Sequence, residues 1–145
     1  MKKIGRIILI LIGIGLVLFL LLQLIPYGRD HTNPAVVAEP SWDSPATRDL
    51  AKRACFDCHS NESVWPWYSN IAPVSWLVYF DVREGRNRMN FSEWNSNFPS
   101  NVNELVGIIQ EGEMPPAQYL LMHPNANLST ADKQALITGL QKSIP

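Results

Sequence analysis

One stretch decides the fold that this chain can adopt. It runs from Ser44 to His59 and reads Ser-Pro-Ala-Thr-Arg-Asp-Leu-Ala-Lys-Arg-Ala-Cys-Phe-Asp-Cys-His. Ser44 is a typical helix N-cap residue, and Pro45 suits the first helical position because the N–H that proline lacks has no intrahelical partner there. The residues from Asp49 to Ala54 continue at helical spacing. The stretch therefore predicts a short helix that leads directly into Cys55.

The residues at the end of this helix, Cys55, Cys58 and His59, form a Cys-x-x-Cys-His motif, which is the attachment signature of c-type haem. Two cysteines at this spacing can reach the two vinyl groups of one porphyrin, and the adjacent histidine then falls beneath the iron. The sequence therefore predicts one covalent haem c, with thioether bonds from Cys55 and Cys58 and with His59 as the proximal iron ligand.

Three other interpretations of the two cysteines stay open. A structural disulfide would close only a very short loop and would restrain little unfolded-chain entropy. A thioredoxin-like redox pair would need a strand before the first cysteine, whereas a helix is predicted there. A zinc site would have to recruit His123 or a carboxylate in addition to His59 and the two thiolates. Haem is the favoured interpretation.

The distal iron ligand is predicted to be Met114, because Pro115 and Pro116 stiffen the loop that carries it. A methionine that only caps the core is the alternative. His123 is the main rival ligand, since imidazole binds iron well and His123 also lies in a predicted loop. The remaining candidates are Met122, Met89, His31 or an open site.

Aromatic residues cluster after the motif and are predicted to wall the porphyrin or to belong to the ordinary core: Trp65, Trp67, Tyr68 and Trp76. Three arginines near the end of the following helix, Arg83, Arg86 and Arg88, could pair with haem propionates. A solvated helix end is the favoured interpretation of these arginines.

The N-terminal segment predicts a membrane span. Residues 7–25 carry no charge and include Gln23 as the one polar side chain. As a helix they would be roughly 28 Å long, close to the ~30 Å thickness of a bilayer's hydrocarbon core. Lys2, Lys3 and Arg6 precede the span and predict an N-terminus on the cytoplasmic side. An uncleaved signal anchor is favoured over a cleaved signal peptide, because the run is long and no A-x-A-like site follows it.

The charge balance argues against nucleic-acid binding. Three of the twelve basic residues precede the span, so residues 26–145 carry nine basic and thirteen acidic groups and are net −4. Phosphate binding requires a dense field of Lys and Arg, which this segment does not have. The predicted organisation is an anchor over 1–25, an extended Pro-rich tether over 26–44 and one domain over 45–145.

The rest of the chain is predicted to form helices joined by long loops. Pro73 opens an apolar helix over 74–82, and Ser100–Gln110 places apolar residues on one face before a stop at Gly112. The last helix starts at Ser129, with Asp132 in a weaker form of the capping box. No strand alternation is present. The predicted fold class is all-α: a small cytochrome c-like domain with long loops behind a single transmembrane helix.

These residues resemble a known family, the small bacterial haem-binding-domain proteins, which are monohaem relatives of the c-type cytochromes. The resemblance covers nearly everything from Pro26 to Leu140 and is carried by these strings: Cys55-Phe56-Asp57-Cys58-His59-Ser60-Asn61, Trp65-Pro66-Trp67-Tyr68-Ser69, Ile71-Ala72-Pro73-Val74-Ser75-Trp76, Asn90-Phe91-Ser92-Glu93-Trp94 and Met114-Pro115-Pro116, with Tyr119, His123, Ala126, Leu128 and Ser129. It implies a helical haem domain behind one N-terminal membrane segment, and it does not supply a physiological role.

The predicted function is electron transfer by a single-pass protein of the bacterial cytoplasmic membrane, with its haem domain on the periplasmic side and with unknown redox partner proteins. A Met/His iron leaves no open coordination site, which suits an electron carrier better than an enzyme. The alternative is a haem-based sensor or a peroxidase-like enzyme with a displaceable sixth ligand.

Overall fold

The structure is a computed structural model that describes residues 2–94 and 102–144. The chain divides into two compact units. We call Met1–Thr32 with Trp65–Asp81 the anchor unit, and Asn33–Val64 with Val82–Pro145 the motif unit. The Cys-x-x-Cys-His motif belongs to the second of these. The predicted boundaries after residues 25 and 44 stay a prediction.

The described residues are all-α, as predicted. They form seven α-helices: α1 (Lys2–Leu22), α2 (Pro45–Ala54), α3 (Phe56–His59), α4 (Val74–Arg88), α5 (Val102–Glu111), α6 (Ala117–Leu120) and α7 (Thr130–Ser143). Short 3-10 turns occupy Trp67–Asn70 and Pro124–Ala126. Within these described ranges the extended backbone contributes one isolated bridge, between Ala38 and Glu93, and no strand.

Helix ends in the motif unit follow the predicted capping chemistry. Ser44 Oγ accepts the Thr47 N–H at the start of α2, and Ser129 Oγ accepts the Asp132 N–H at the start of α7. At the end of α5, Gly112 takes a φ of 76°, the left-handed conformation that favours glycine. The predicted start of α5 at Ser100 lies outside the described residues.

The core of the motif unit is built from α2, α3, α5, α7 and the loop at residues 89–94. Its buried side chains are Ala51, Ala54, Phe56, Met89, Phe91, Val106, Ile109, Leu128, Leu136, Ile137, Leu140 and Ile144. The apolar face predicted for α5 is confirmed, because Val102 and Leu105 pack against this core beside Val106 and Ile109. Phe56, inside the Cys-x-x-Cys-His motif, is among its most deeply buried members.

The anchor unit contains α1, which is long and apolar enough to cross a membrane. Its apolar side chains are exposed along its whole length, from Ile4 to Leu21. A helix whose apolar side chains are exposed on every face is typical of a membrane span or a signal sequence.

The Pro-rich segment after α1 is extended where it enters the motif unit. The Val37 and Ala38 N–H groups both donate to the Ser92 carbonyl, and the Trp94 N–H donates to the Ala38 carbonyl. Further along, the Trp42 ring packs against Phe91, with centroids 5.3 Å apart. These contacts attach the segment to the loop at residues 89–94, directly beside the motif.

Candidate haem site

The motif forms a single helical turn directly after α2. Cys55 ends α2 by donating its N–H to the Ala51 carbonyl, and its own carbonyl accepts the His59 N–H at 2.9 Å. Phe56 points into the core and stacks on Phe91, with centroids 5.4 Å apart. Cys55, Cys58 and His59 all remain partly exposed. One turn thus fixes the backbone through Phe56 and leaves the three predicted haem-binding side chains accessible.

The His59 imidazole is oriented by a hydrogen bond. Its Nδ1 lies 3.1 Å from the Met89 carbonyl oxygen. A carbonyl oxygen can only accept, so Nδ1 carries the proton and Nε2 keeps its lone pair. Burial lowers the pKa of His59 below its ordinary value, which favours the neutral ring. A neutral imidazole with a fixed Nδ1–H is the form in which histidine binds a metal through Nε2.

Both cysteines are thiols and do not form a disulfide with each other. Burial, with a smaller contribution from the neighbouring Cys58, raises the pKa of the Cys55 thiol to about 12. Redox-active cysteine pairs work instead through a thiolate with a lowered pKa. The Cys55 environment and the helix before it therefore give no support to the thioredoxin-like interpretation.

Helix α4 approaches the motif through a glycine. A Cβ placed on Gly85 would lie 2.4 Å from the Cys58 carbonyl oxygen and 3.1 Å from the Cys58 Cβ. Such distances are far inside van der Waals contact, so a larger residue at this position would displace the motif. Gly85 therefore sets the distance between α4 and Cys58.

A buried polar network holds the residues that follow His59. The Asn61 side chain accepts a hydrogen bond from Asn90 Nδ2 at 2.8 Å and donates to Glu93 Oε1 at 2.9 Å. The Asn61 N–H donates to Ser92 Oγ. The His59 carbonyl accepts the Phe91 N–H at 2.8 Å. The loop at residues 89–94 is thus bonded to the ring and the carbonyl of His59 and to Asn61, which restricts how His59 can move.

Arg86 supports the same backbone from α4. Its guanidinium donates to the Ser60 carbonyl at 2.8 Å, to Ser63 Oγ at 3.0 Å and to Asn33 Oδ1 at 2.7 Å. The favoured prediction of a solvated helix end does not describe this residue, because its charge is used to satisfy acceptors next to the motif. Arg83, by contrast, forms an exposed ion pair with its neighbour Glu84.

The segment that carries Met114 is hydrogen-bonded to the motif through Tyr119. The Tyr119 hydroxyl donates to Asp57 Oδ2 at 2.6 Å, and the other carboxylate oxygen of Asp57 accepts the Val64 N–H at 3.0 Å. Asp57 lies between Cys55 and Cys58, so this bond joins the predicted distal-ligand segment to the centre of the motif.

Met114 itself follows a well-defined helix end. The Glu113 N–H bonds to the Ile108 carbonyl and the Gly112 N–H bonds to the Ile109 carbonyl, which is the Schellman arrangement. The Met114 side chain is 37% exposed, so it is not a member of the core. The interpretation of Met114 as a core-capping side chain therefore has no support.

His123 lies on the same segment, where its ring stacks on Tyr119 with centroids 4.0 Å apart. Its Nδ1 donates to the Tyr119 carbonyl at 3.0 Å, which fixes the direction of the ring. His123 therefore stays the alternative to Met114 as the predicted distal ligand.

Among the lesser candidates, the structure argues against Met89 and leaves His31 a prediction. The Met89 side chain is buried in the core of the motif unit. His31 stacks on Trp65 in the anchor unit, and its Nε2 lies 3.2 Å from the Ser69 carbonyl. Since that carbonyl can only accept, the Nε2 of His31 is the donor, and Nδ1 is the ring nitrogen that a metal could use.

The predicted pocket-wall residues Trp65, Trp67, Tyr68 and Trp76 all belong to the anchor unit. Trp67 is exposed, whereas the Trp76 indole nitrogen is buried and bonds to no group within residues 2–94 and 102–144. Their role as a porphyrin wall stays a prediction.

The residues that hold the motif in place were not predicted from the sequence. Gly85 and Arg86 gave no local signal, because their partners lie about 26 residues earlier in the chain. Tyr119 and the Asn90-Phe91-Ser92-Glu93 string were noted only as parts of the family resemblance. An unusually high content of Asn and Ser around a motif is the one local feature that could have indicated a buried polar network.

The donor set fits a c-type haem. Two free cysteines, each partly exposed as a residue, lie one helical turn apart, and the next residue is an imidazole whose Nδ1–H is bonded to the Met89 carbonyl. Among residues 2–94 and 102–144 no group of three or more His, Cys, Asp or Glu side chains is arranged to hold a metal ion directly, so the zinc interpretation gains no support.

Comparison with known proteins agrees with this chemistry. No curated protein and no solved structure matches the chain. A family model described as the haem-binding domain matches residues 17–142. That range contains the motif, the loop at residues 89–94 and the segment from Met114 to His123. The chain therefore belongs to the haem-binding domain family and is a haem-binding protein.

Proposed function

We propose that this protein is a membrane-anchored c-type haem protein that transfers electrons through one covalently bound haem. The observation that carries the proposal is the geometry of His59. Its Nδ1–H is committed to the Met89 carbonyl and its Nε2 is available, directly after two thiols that flank a single turn. When bound, the haem iron would supply reversible one-electron chemistry.

The residues around the Cys-x-x-Cys-His motif fix the position of its backbone. Cys55 and Cys58 would form the thioethers, while Phe56 in the core and Gly85 against Cys58 fix the backbone between them. Ser92 and Arg86 bond to the backbone that directly follows His59, at Asn61 and Ser60. An electron carrier needs little rearrangement between its two oxidation states, and a motif fixed at this many points suits that requirement.

Met114 is proposed as the distal ligand, with His123 as its rival. The Schellman turn before Met114, and the bond between Tyr119 and Asp57, hold this segment at the motif. If Met114 and His59 both bound the haem iron, the thioether would raise its reduction potential and no coordination site would stay open. Both features favour electron transfer over oxygen chemistry.

The anchor is proposed to remain attached. The family match begins at residue 17, inside α1, so the end of the apolar helix lies within the matched domain. Lys2, Lys3 and Arg6 lie at the start of α1, before its uncharged run, and favour an N-terminus in the cytoplasm, with the rest of the chain on the periplasmic side of the bacterial cytoplasmic membrane. Covalent haem attachment on that side of the membrane agrees with this orientation.

One observation favours a second candidate function. Because the Met114 side chain is 37% exposed, a ligand formed by it could be displaced. Displacement would open the iron to small molecules, as a haem-based sensor or a peroxidase-like enzyme requires. In that case the stacked pair of Tyr119 and His123 would offer a nearby hydroxyl and imidazole.

The two candidates are separated by ligand-binding spectroscopy on the detergent-solubilised full-length protein. An electron carrier should show a reversible one-electron titration, a charge-transfer band near ~695 nm in the oxidised form, and slow, weak binding of carbon monoxide. The band should vanish in Met114→Ala and survive in His123→Ala. The opposite pattern makes His123 the ligand. Rapid, tight carbon monoxide binding by the unsubstituted protein favours the sensor or enzyme.

A further inference from the structure

The anchor unit contains a second apolar segment besides α1. Residues 65–80 include no charged side chain and no histidine, and six of the sixteen are aromatic: Trp65, Trp67, Tyr68, Trp76, Tyr79 and Phe80. Such a composition is unusual for a water-exposed surface, and tryptophan and tyrosine are enriched where proteins meet the boundary between lipid and water.

This segment is attached to the end of α1 by Gln23. The Gln23 carboxamide donates from Nε2 to the Ala72 carbonyl at 2.9 Å, and its Oε1 accepts the Ala72 N–H, also at 2.9 Å. The one polar side chain of the apolar run therefore pairs with the backbone immediately before α4. Gln23 thus has a defined role, which is to hold the start of α4 against the end of α1.

The chain that leaves α1 covers one side of α4. The rings of Tyr27 and Tyr79 meet edge to face, with centroids 5.4 Å apart. Gly28, at a φ of 77°, approaches so closely that a Cβ on it would lie 2.7 Å from the Ser75 carbonyl oxygen. Ser75 and Tyr79 are one helical turn apart, and both face the chain at Tyr27 and Gly28.

A different face of α4 is exposed and apolar. Val74, Leu77 and Phe80 recur every third residue, so they lie on a common face of the helix. Leu77 is 51% exposed, and Trp67, just before the helix, is 71% exposed. We call these four residues the apolar patch.

The position of Gln23 indicates what covers the patch. The candidate span Lys3–Leu22 has 20 residues, and its two charged residues, Lys3 and Arg6, stand at its N-terminal end. At ~1.5 Å per residue it is about 30 Å long, the thickness of the hydrocarbon core. If α1 spans the bilayer, Gln23 lies at its outer boundary, and the bonds from Gln23 to Ala72 place the start of α4 at the same depth. Leu24 and Ile25 are also exposed there, so apolar surface continues from α1 toward α4.

We propose that the apolar patch rests in the headgroup and upper acyl region of the bilayer that α1 spans. Its partner is the lipid surface itself, and the patch makes α4 an interfacial helix. The inference rests on the membrane anchoring proposed above. Its consequence is that the anchor unit contacts the bilayer through the start of α4 as well as through α1.

Photo-crosslinking tests the proposal with the full-length protein in vesicles of phosphatidylcholine and phosphatidylglycerol. The photoreactive residue p-benzoylphenylalanine replaces Leu77 in one variant, Leu9 of α1 in a second, and the exposed Gln134 of α7 in a third. All three side chains are exposed, so the substitutions leave the core intact. Lipid adducts, identified by mass spectrometry, are expected at Leu77 and Leu9 and should fall to background at Gln134.

The outcomes separate the two proposals because none of the readouts depends on haem. Lipid adducts at Leu9 without adducts at Leu77 overturn the lipid-facing patch and leave the anchor standing. Adducts at Leu77 to a second copy of the chain instead of lipid overturn it in favour of self-association. Absence of lipid adducts at Leu9 overturns the anchoring, and the inference falls with it.

Discussion

The hydroxyl of Tyr119 donates a 2.6 Å hydrogen bond to Oδ2 of Asp57, a residue 62 positions earlier that lies between the two cysteines of the motif. This bond connects the segment that carries both candidate distal ligands, Met114 and His123, to the turn that carries His59, the proposed proximal ligand. Loss of this bond should therefore make Met114 or His123 less firmly held as a sixth ligand.

Removal of this bond should loosen the distal segment. In Tyr119→Phe the ring remains and the hydroxyl is lost, which removes a charge-assisted hydrogen bond worth roughly 1.5–3 kcal/mol. We expect haem to stay attached, the ~695 nm band to weaken and carbon monoxide to bind faster. Tyr79→Phe, which alters a tyrosine of the anchor unit, is the matched control and should leave both signals unchanged. Equal spectra for Tyr119→Phe and the unsubstituted protein would show that the bond does not hold the ligand.

A methyl group at Gly85 should disturb the motif. The new Cβ in Gly85→Ala would collide with the Cys58 carbonyl, and such overpacking costs roughly 1–3 kcal/mol. Both the free energy of unfolding and the fraction of protein loaded with haem should fall. Gly107→Ala in α5 is the control, because nothing lies within 4 Å of a Cβ there. That variant should gain about 0.5–1 kcal/mol from reduced backbone freedom. Equal haem loading in the two variants would contradict a positioning role for Gly85.

The ion pair of Glu39 and Arg48 should make stability depend on pH. The hydrogen bond from the Arg48 guanidinium lowers the pKa of Glu39 below its ordinary value of 4.5. Its stabilisation is therefore fully present above that value and is lost as the pH falls through the lowered pKa of the folded state. At pH 7, Glu39→Gln should be less stable by about 1 kcal/mol, since the pair is partly exposed.

The stability difference between Glu39→Gln and the unsubstituted protein should close when both are measured at a pH below the lowered pKa, because the side chain is then neutral in both. Urea unfolding across a pH series measures it. Glu111→Gln, at the exposed end of α5, is the control and should show little difference at any pH. A Glu39→Gln difference that persists unchanged at low pH would mean that the pair contributes through packing and not through charge.

Sequence was a good guide where a feature depends on neighbouring residues. The cap at Ser44, the left-handed stop at Gly112 and the cap at Ser129 each require only local chemistry, and the structure confirms all three. The apolar spacing of α5 likewise identified the face that reaches the core. The apolar run before Gln23 was recognisable because length and composition alone define a candidate span.

Contacts between distant parts of the chain could not be predicted in this way. The close contact of Gly85 with Cys58 and the hydrogen bond from Tyr119 to Asp57 depend on how the helices pack. The residues next to Gly85 and Tyr119 in the sequence do not indicate these partners. Gln23 was noticed as an isolated polar residue, yet its pairing with Ala72 emerged only from the folded backbone. Arg86 was expected at a solvated helix end and instead supports the backbone at Ser60.

Retention of haem after denaturation tests the central claim most directly. The purified full-length protein is extracted with acid-acetone and then examined by haem staining on a denaturing gel and by the pyridine haemochrome spectrum. If Cys55 and Cys58 carry the haem, the unsubstituted protein should keep it in the polypeptide fraction, and the double variant Cys55→Ser/Cys58→Ser should release all of it. Complete release from the unsubstituted protein, or covalent retention by the double variant, would contradict the thioether attachment.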